Sequence, residues 1–160
     1  MRFEITEIPS LSGRKAHVYS VVVQGDDETL LEQFFDENKE GHADDLRTML
    51  AKIQTMADDT GCKREFFKEG EGSLADGVVA LRCNEMRLYG IYFNSTVILF
   101  GSGGVKRKGA RAYQEIPELN AKARQVREIA RKINKAIDDG DIRIEYDGTI
   151  NYENWEDYEQ

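Results

Sequence analysis

Two arginines and a short basic segment are the residues of this chain whose types and positions could do chemistry. Arg82 and Arg87 lie inside apolar runs that read as neighbouring strands, and Lys106-Arg107-Lys108 follows the next run. Guanidinium and ammonium groups at one edge of a sheet are suited to binding phosphate. In the alternative interpretation, the strand arginines lie on a solvent-facing surface and pair with the many acidic side chains of the chain.

The charge of the chain is unevenly distributed along its length. The net charge is −8, but residues 101–135 hold ten Lys/Arg and three Glu, a local charge of +7, so the rest carries −15. Residues 138–160 hold nine acidic residues and one basic residue, Arg143. The basic block is consistent with a positive patch that faces a phosphate backbone. By charge alone, a solvated helix face whose counter-charges lie elsewhere is the favoured interpretation.

The arginines belong to a predicted antiparallel meander. Residues 78–83, 86–93 and 96–100 are rich in Val, Ile, Tyr and Phe, which favour strands. The two-residue breaks Asn84-Glu85 and Asn94-Ser95 are typical of tight hairpins, because Asn tolerates a positive φ. Gly101-Ser102-Gly103-Gly104 follows, and we interpret it as a flexible bend, since it lacks the spacing of a phosphate-binding glycine loop.

The first half of the chain predicts a hairpin and two helices. Residues 2–8 and 16–24 read as two paired strands. Asp26 or Asp27 is expected to cap a helix with the apolar stripe Leu30, Leu31, Phe34 and Phe35. A second helix is expected over residues 43–59, ending at Gly61, and the short link makes the two an antiparallel pair.

The last third predicts one long helix and a final strand. Pro117 begins a helix that runs to Asp138, with Gly140 as its stop. An apolar seam follows heptad-like spacing, which favours packing on the chain's own sheet over a coiled-coil dimer: Leu119, Ala123, Val126, Ala130, Ile133 and Ile137. The alternation of Ile142, Ile144 and Tyr146 predicts a final strand, with a turn at Asp147-Gly148.

Length and composition place limits on the class of protein. The 160 residues fit one domain, residues 1–150, followed by an acidic, aromatic tail, residues 151–160. Cys62 and Cys83 are too few for a disulfide framework and lack metal-site spacing. No apolar run is long enough for a membrane span, and the N-terminus does not resemble an export signal. We therefore expect no membrane association and a cytoplasmic location.

The expected fold class is α+β, with the meander and N-terminal hairpin packed against a helical hairpin and one long helix. Along the chain, the predicted elements are two strands, two helices, three strands, one helix and a final strand. With its elements in this order, the chain resembles the RelE/ParE toxin superfamily, and most closely its HigB-like, phage-derived branch. Two stretches carry the resemblance: LRCNEMRLYGIYF (81–93), a strand pair with arginine on both strands, and VILFGSGGVKRKGARAYQEIP (97–117), an apolar strand, a lysine-rich loop and a proline-started helix. The resemblance covers roughly residues 27–138.

The resemblance implies an mRNA interferase, an endoribonuclease that uses neither a metal nor another cofactor. The implied partners are mRNA or the ribosome as target and a cognate antitoxin of the helix-turn-helix type. Arg82 and Arg87 then correspond to phosphate-binding positions, and Lys106 and Lys108 to the basic loop. Arg111 and Tyr113 are the nearest candidates to complete this catalytic set: clustered cations offset charge on the phosphate, and a tyrosine or a lysine transfers a proton.

Two further interpretations remain open from the sequence. The same scaffold could be a catalytically silent module that binds protein or nucleic acid, which the acidic total favours. The family's C-terminal catalytic Tyr or His also has no clear counterpart here. A third, weaker interpretation is a structural protein that dimerises through the seam of residues 119–137. The aromatic tail is expected to dock on the basic block and mask it.

Overall fold

The structure, a computed structural model, describes residues 1–68, 75–107 and 116–155. The elements are β1 (Phe3–Glu7), β2 (His17–Val23), α1 (Leu30–Asn38), α2 (Ala43–Thr55), β3 (Phe67–Lys68), β4 (Val78–Cys83), β5 (Met86–Asn94), β6 (Val97–Val105), α3 (Pro117–Asp138), β7 (Arg143–Ile144) and β8 (Ile150–Asn151). Over these ranges, six strands form one sheet in the order β1-β2-β6-β5-β4-β3. The β2–β6 pair is parallel and the other pairs are antiparallel. The predicted α+β class, with its meander and N-terminal hairpin, is confirmed.

Helices cover both faces of this sheet. Because side chains alternate along a strand, each strand contributes to two separate cores. On one face, Tyr89 and Leu99 pack with α3 side chains such as Val126 and Ile133. On the other, residues of β4 to β6 pack with α1 and α2 through Phe34, Met49 and other apolar side chains. The predicted helix pair and the predicted long helix therefore lie on opposite faces.

The start of α1 differs from the prediction. Its N-cap is Thr29, whose hydroxyl accepts a bond from the backbone N–H of Glu32, while the Glu32 carboxylate accepts from the Thr29 backbone N–H at 3.1 Å. This reciprocal capping box satisfies two N–H groups of the first turn. Asp26 and Asp27 precede the helix and do not cap it. The end of α2 is as predicted: a π-helical turn extends it to Thr60, and Gly61 follows at φ 78°.

The glycine run after the meander is strand, not a bend. Gly101 to Gly104 belong to β6 and are largely buried between the helices on the two faces. A Cβ on Gly101 would meet Val126 of α3 at 2.7 Å, and one on Gly103 would meet Phe34 of α1 at 2.9 Å. The absence of side chains at these positions allows both helices to approach the strand closely. The prediction of a flexible bend was therefore wrong.

The long helix α3 has the predicted bounds. Its seam is buried against the sheet, with Ile137 only partly buried, so the seam is not available to a second chain for dimerisation. Ser102 of β6 donates to the Gln125 side chain at 2.8 Å, and Asn134 donates to the Asp76 carbonyl at 2.9 Å. These bonds fix the helix along the sheet, with its N-terminal end near the end of β6.

The C-terminal region departs from the predicted final strand. Among the described strands, β7 pairs with β8 in a small hairpin separate from the main sheet, and Tyr146 is fully exposed in its turn. The tail then packs Trp155 against Phe3 of β1, with ring centroids 5.5 Å apart. The tail thus contacts the N-terminal strand, while residues 156–160 lie outside the described ranges. None of the described helices is long and apolar enough to cross a membrane.

Candidate functional site

The β4–β5 turn sets the position of the two strand arginines. It is a two-residue turn in which Asn84 takes φ 53°, a left-handed conformation that Asn adopts more readily than most residues. The Asn84 side chain donates to the Asp45 carboxylate of α2 at 2.7 Å, which holds the turn on the helical layer. With Cys83 paired to Met86, Arg82 and Arg87 lie directly opposite each other.

Both arginines lie on the face of the sheet that α3 covers. Leu81 and Leu88, their neighbours along the strands, belong to the core under α1 and α2, so the arginines lie on the opposite face. Arg87 is also paired with Gly104 of β6, whose missing side chain leaves room beside Leu119 of α3. The sheet therefore presents both cations near the first turn of α3.

Arg87 is turned inward. It is only 4% exposed, and its Nη1 donates to the carbonyls of Asn84 at 2.7 Å and Met86 at 2.9 Å. A buried charge is tolerated only when polar groups surround it, and these carbonyls supply part of that environment. In this arrangement the guanidinium holds the turn that carries Arg82 on the opposite strand.

Lys106 lies beside the same turn. Its backbone N–H donates to the Glu85 carbonyl at 2.7 Å, which adds one more bond to the pairing of β5 and β6. Alternation of the extended chain puts its side chain on the face of Gly104, two residues earlier. Arg82 and Lys106 are each partly buried. We call Arg82, Arg87 and Lys106 the cationic corner.

A surface cavity of about 450 Å³ adjoins this corner, between the end of β6, the end of α1 and the start of α3. Arg107, Lys122, Glu37 and Glu118 are its charged lining residues. Lys122 lies 3.4 Å from the Glu37 carboxylate, so part of the positive charge is compensated. The volume is within the range of small-ligand sites and is sufficient for a phosphate with its sugar.

The other predicted site residues, Lys108, Arg111 and Tyr113, lie outside the described residues. The structure therefore brings together three of the six predicted residues. It adds Lys122, which the sequence showed only as one of the ten cations of the basic block, residues 101–135. Its position in the first turns of a helix that follows a basic segment was the available signal.

Cys83, next to Arg82 in the chain, is the thiol nearest the cationic corner. Burial raises the pKa of Cys83, and the neighbouring Asp45 carboxylate, 3.7 Å from its sulfur, raises it further. The thiolate is the reactive form of cysteine, so both effects lower the reactivity of this thiol. Over the described part of the chain, no three His, Cys, Asp or Glu side chains are grouped to hold a metal ion.

Comparison of the chain with protein-family models, with curated proteins and with solved structures gives no match. The resemblance to the RelE/ParE superfamily therefore stays a prediction.

Proposed function

We propose that this chain is a toxin-like endoribonuclease of the RelE/HigB-like kind, and that the cationic corner holds the scissile phosphate of RNA. The observation that supports the proposal is the placement of Arg82, Arg87 and Lys106 around one turn, on one face of the sheet. Such a group of fixed cations offsets the charge that builds up on phosphate oxygens during transfer.

The proposed reaction is attack of the RNA 2′-oxygen on the adjacent phosphorus. The new O–P bond gives a 2′,3′-cyclic phosphate, the bond to the 5′-oxygen breaks, and that oxygen takes up a proton as the 2′-hydroxyl loses one. Arg82 and Lys106 bind the non-bridging oxygens in this proposal, and Arg87 positions the turn. Lys108, Arg111 and Tyr113 are proposed to complete the set, with Tyr113 or a lysine moving the protons. In this proposal, the reaction uses neither a metal nor another cofactor.

The proposed function implies two partners. The target is mRNA, either free or on the ribosome, and the neutralising partner is an antitoxin of the helix-turn-helix type. Such an antitoxin would act by covering the cationic corner or by displacing residues around it.

One observation favours a second candidate function, a catalytically silent module that binds RNA. Arg87 already donates to two carbonyls and is 4% exposed, so it has little capacity left to contact a substrate. Without Arg87, only Arg82 and Lys106 of the cationic corner are left to contact a phosphate. A binding module requires only the attraction between cations and the phosphate backbone, which depends steeply on salt.

Induced expression in a bacterial host distinguishes the two candidates. We expect the wild type to arrest translation and to leave cut mRNA, and Arg82→Ala/Lys106→Ala to do neither while remaining folded. The matched control is Lys39→Ala/Arg47→Ala, which removes two cations from the helical layer on the other side of the sheet. Equal growth of all three strains, with intact mRNA, would reject the nuclease; salt-dependent RNA binding without cleavage would support the silent module.

A further inference from the structure

The outward face of α3 carries a row of three arginines, Arg124, Arg127 and Arg131, which we call the arginine ridge. We propose that the ridge is a second RNA-binding surface, which grips the phosphate backbone of a single strand outside the cationic corner. This inference rests on the proposed function for the identity of the ligand, RNA. In this inference, the RNA strand that is cut at the cationic corner continues along the outward face of α3.

The geometry of the helix places the three side chains in line. Their spacing is i, i+3 and i+7, which puts them on one face, with steps of about 4.5 and 6 Å along the axis. The opposite face of the helix is buried against the sheet, so the ridge points away from the protein. Arg124 and Arg131 are exposed and Arg127 is partly buried. Their long side chains can therefore contact successive phosphates of one strand.

Within the described ranges, no acidic side chain forms an ion pair with the ridge. Lys122 and Lys135, cations elsewhere on the same helix, are paired with Glu37 at 3.4 Å and Asp139 at 2.7 Å. In contrast, none of the three ridge arginines forms an ion pair or hydrogen bond in the structure as described. Arginine binds phosphate through two parallel bonds, a geometry that a lysine ammonium does not offer. An unpaired row of arginines in a chain of net charge −8 is complementary to a polyanion.

The distribution of charge over the fold favours binding of RNA at α3 over binding at the opposite face of the sheet. Residues 26–60, which form the helical layer on the other face of the sheet, carry eleven acidic and three basic residues, a net charge of −8. α3 carries six basic and three acidic residues, a net charge of +3. A polyanion is repelled by the first face and attracted by the second. The acidic layer of a second copy of this chain is the competing occupant of the ridge, and the experiment separates the two.

The test uses Arg124→Gln/Arg127→Gln/Arg131→Gln, since glutamine keeps the helix propensity and removes the charge. The probe is a single-stranded RNA oligonucleotide with 2′-O-methyl groups, which cannot be cleaved by its own 2′-oxygen. A plot of log affinity against log salt concentration has a negative slope, and each phosphate contact on a single strand adds about 0.7 to its magnitude. Because the variant loses three contacts, we expect the magnitude of the slope to be smaller by about 2. Between 50 and 200 mM salt, the wild type then loses about 20-fold more affinity than the variant. We also expect Glu128→Gln, which removes an acid from the same helix, to tighten binding.

The matched control is Lys39→Gln/Arg47→Gln/Lys63→Gln, which makes the same change in net charge away from α3 and should leave the slope unchanged. A folded ridge variant that binds with wild-type slope overturns the inference. If Arg82→Ala/Lys106→Ala abolishes cleavage in that case, the proposed function stands and only the ridge is rejected. RNA binding through the ridge without any cleavage by the wild type supports the ridge and rejects the nuclease. Concentration-dependent self-association that the ridge variant loses, with RNA affinity unchanged, assigns the ridge to a second copy and overturns the RNA proposal.

Discussion

Arg87 lies directly opposite Arg82 in the β4–β5 hairpin, yet Arg87 is 4% exposed while Arg82 is partly exposed to solvent. Like charges at opposed positions destabilise a strand pair. The Asn84 and Met86 carbonyls reduce this cost, because both accept hydrogen bonds from Arg87. One arginine therefore supports the turn, and the other remains the better placed to meet a ligand.

Replacing the two arginines should have different effects on stability. We expect Arg87→Ala to lower the free energy of unfolding by about 3 kcal/mol, because bonds from a charged donor are lost and two carbonyls are left without them. Arg82→Ala should cost less than about 1 kcal/mol, because water can replace the interactions of a side chain that is partly exposed. Urea denaturation of the two variants measures the difference. Equal losses would contradict the separate roles assigned to the two side chains.

The glycines of β6 should not tolerate a methyl group. A Cβ on Gly103 would lie 2.0 Å from the Arg87 carbonyl oxygen, and neighbouring backbone cannot give way without breaking the sheet. We expect Gly103→Ala to destabilise the protein by about 3 kcal/mol or more. The control is Gly41→Ala in the link between α1 and α2, where nothing lies within 4 Å of an added Cβ. A thermal melt in which both variants behave alike would show that the strand is not packed this closely.

The capping box of α1 can be tested against the acidic residues that precede it. Thr29→Ala removes the hydroxyl that accepts from the Glu32 N–H and should cost about 1 kcal/mol. Asp27→Ala should change stability by less than about 0.5 kcal/mol, because Asp27 lies outside the helix. The free energies of unfolding of the two variants, measured by chemical denaturation, show which of the two residues caps α1. A larger loss in the Asp27 variant would restore the acidic cap predicted from the sequence.

Stability should fall at alkaline pH because of Cys62. Burial raises the pKa of this thiol from 9.0 to about 12, so only the unfolded chain releases the proton between these values. The contribution of the group is therefore complete below pH 9 and is lost as the pH rises towards 12. From pH 8 to pH 10, we expect the wild type to lose about 1 kcal/mol more than Cys62→Ala. Parallel pH profiles of the two proteins would show that this thiol does not control the effect.

The parts of the fold that the sequence predicted well have local causes. Pro117 and Gly140 mark the ends of α3 by their own backbone preferences, so the helix bounds could be predicted closely. The turn at Asn84 is of the same kind. The true cap of α1 was also available, since Thr29 and Glu32 have the spacing of a capping box, but the aspartates before it were the more obvious candidates.

The errors have causes that lie far apart in the sequence. The glycines of β6 read as a bend because the reason for them, the close approach of Val126 and Phe34, exists only in the folded chain. The arrangement of the candidate site also depends on contacts that exist only in the folded chain. The hairpin pattern predicted that Arg82 and Arg87 are neighbours, but which one turns inward depends on the carbonyls of the turn and on coverage by α3. Alternation at Ile142 and Ile144 indicated extended chain without indicating that its partner is β8.

The most direct test of the nuclease is cleavage of two matched RNA oligonucleotides by purified protein, with and without ribosomes and in the presence of a metal chelator. One is all ribose, and the other has 2′-deoxy residues throughout. We expect that only the ribose strand is cut, that the product ends in a 2′,3′-cyclic phosphate, and that Arg82→Ala/Lys106→Ala abolishes the cut. Cleavage of both strands, or cleavage that survives in the double variant, would contradict it.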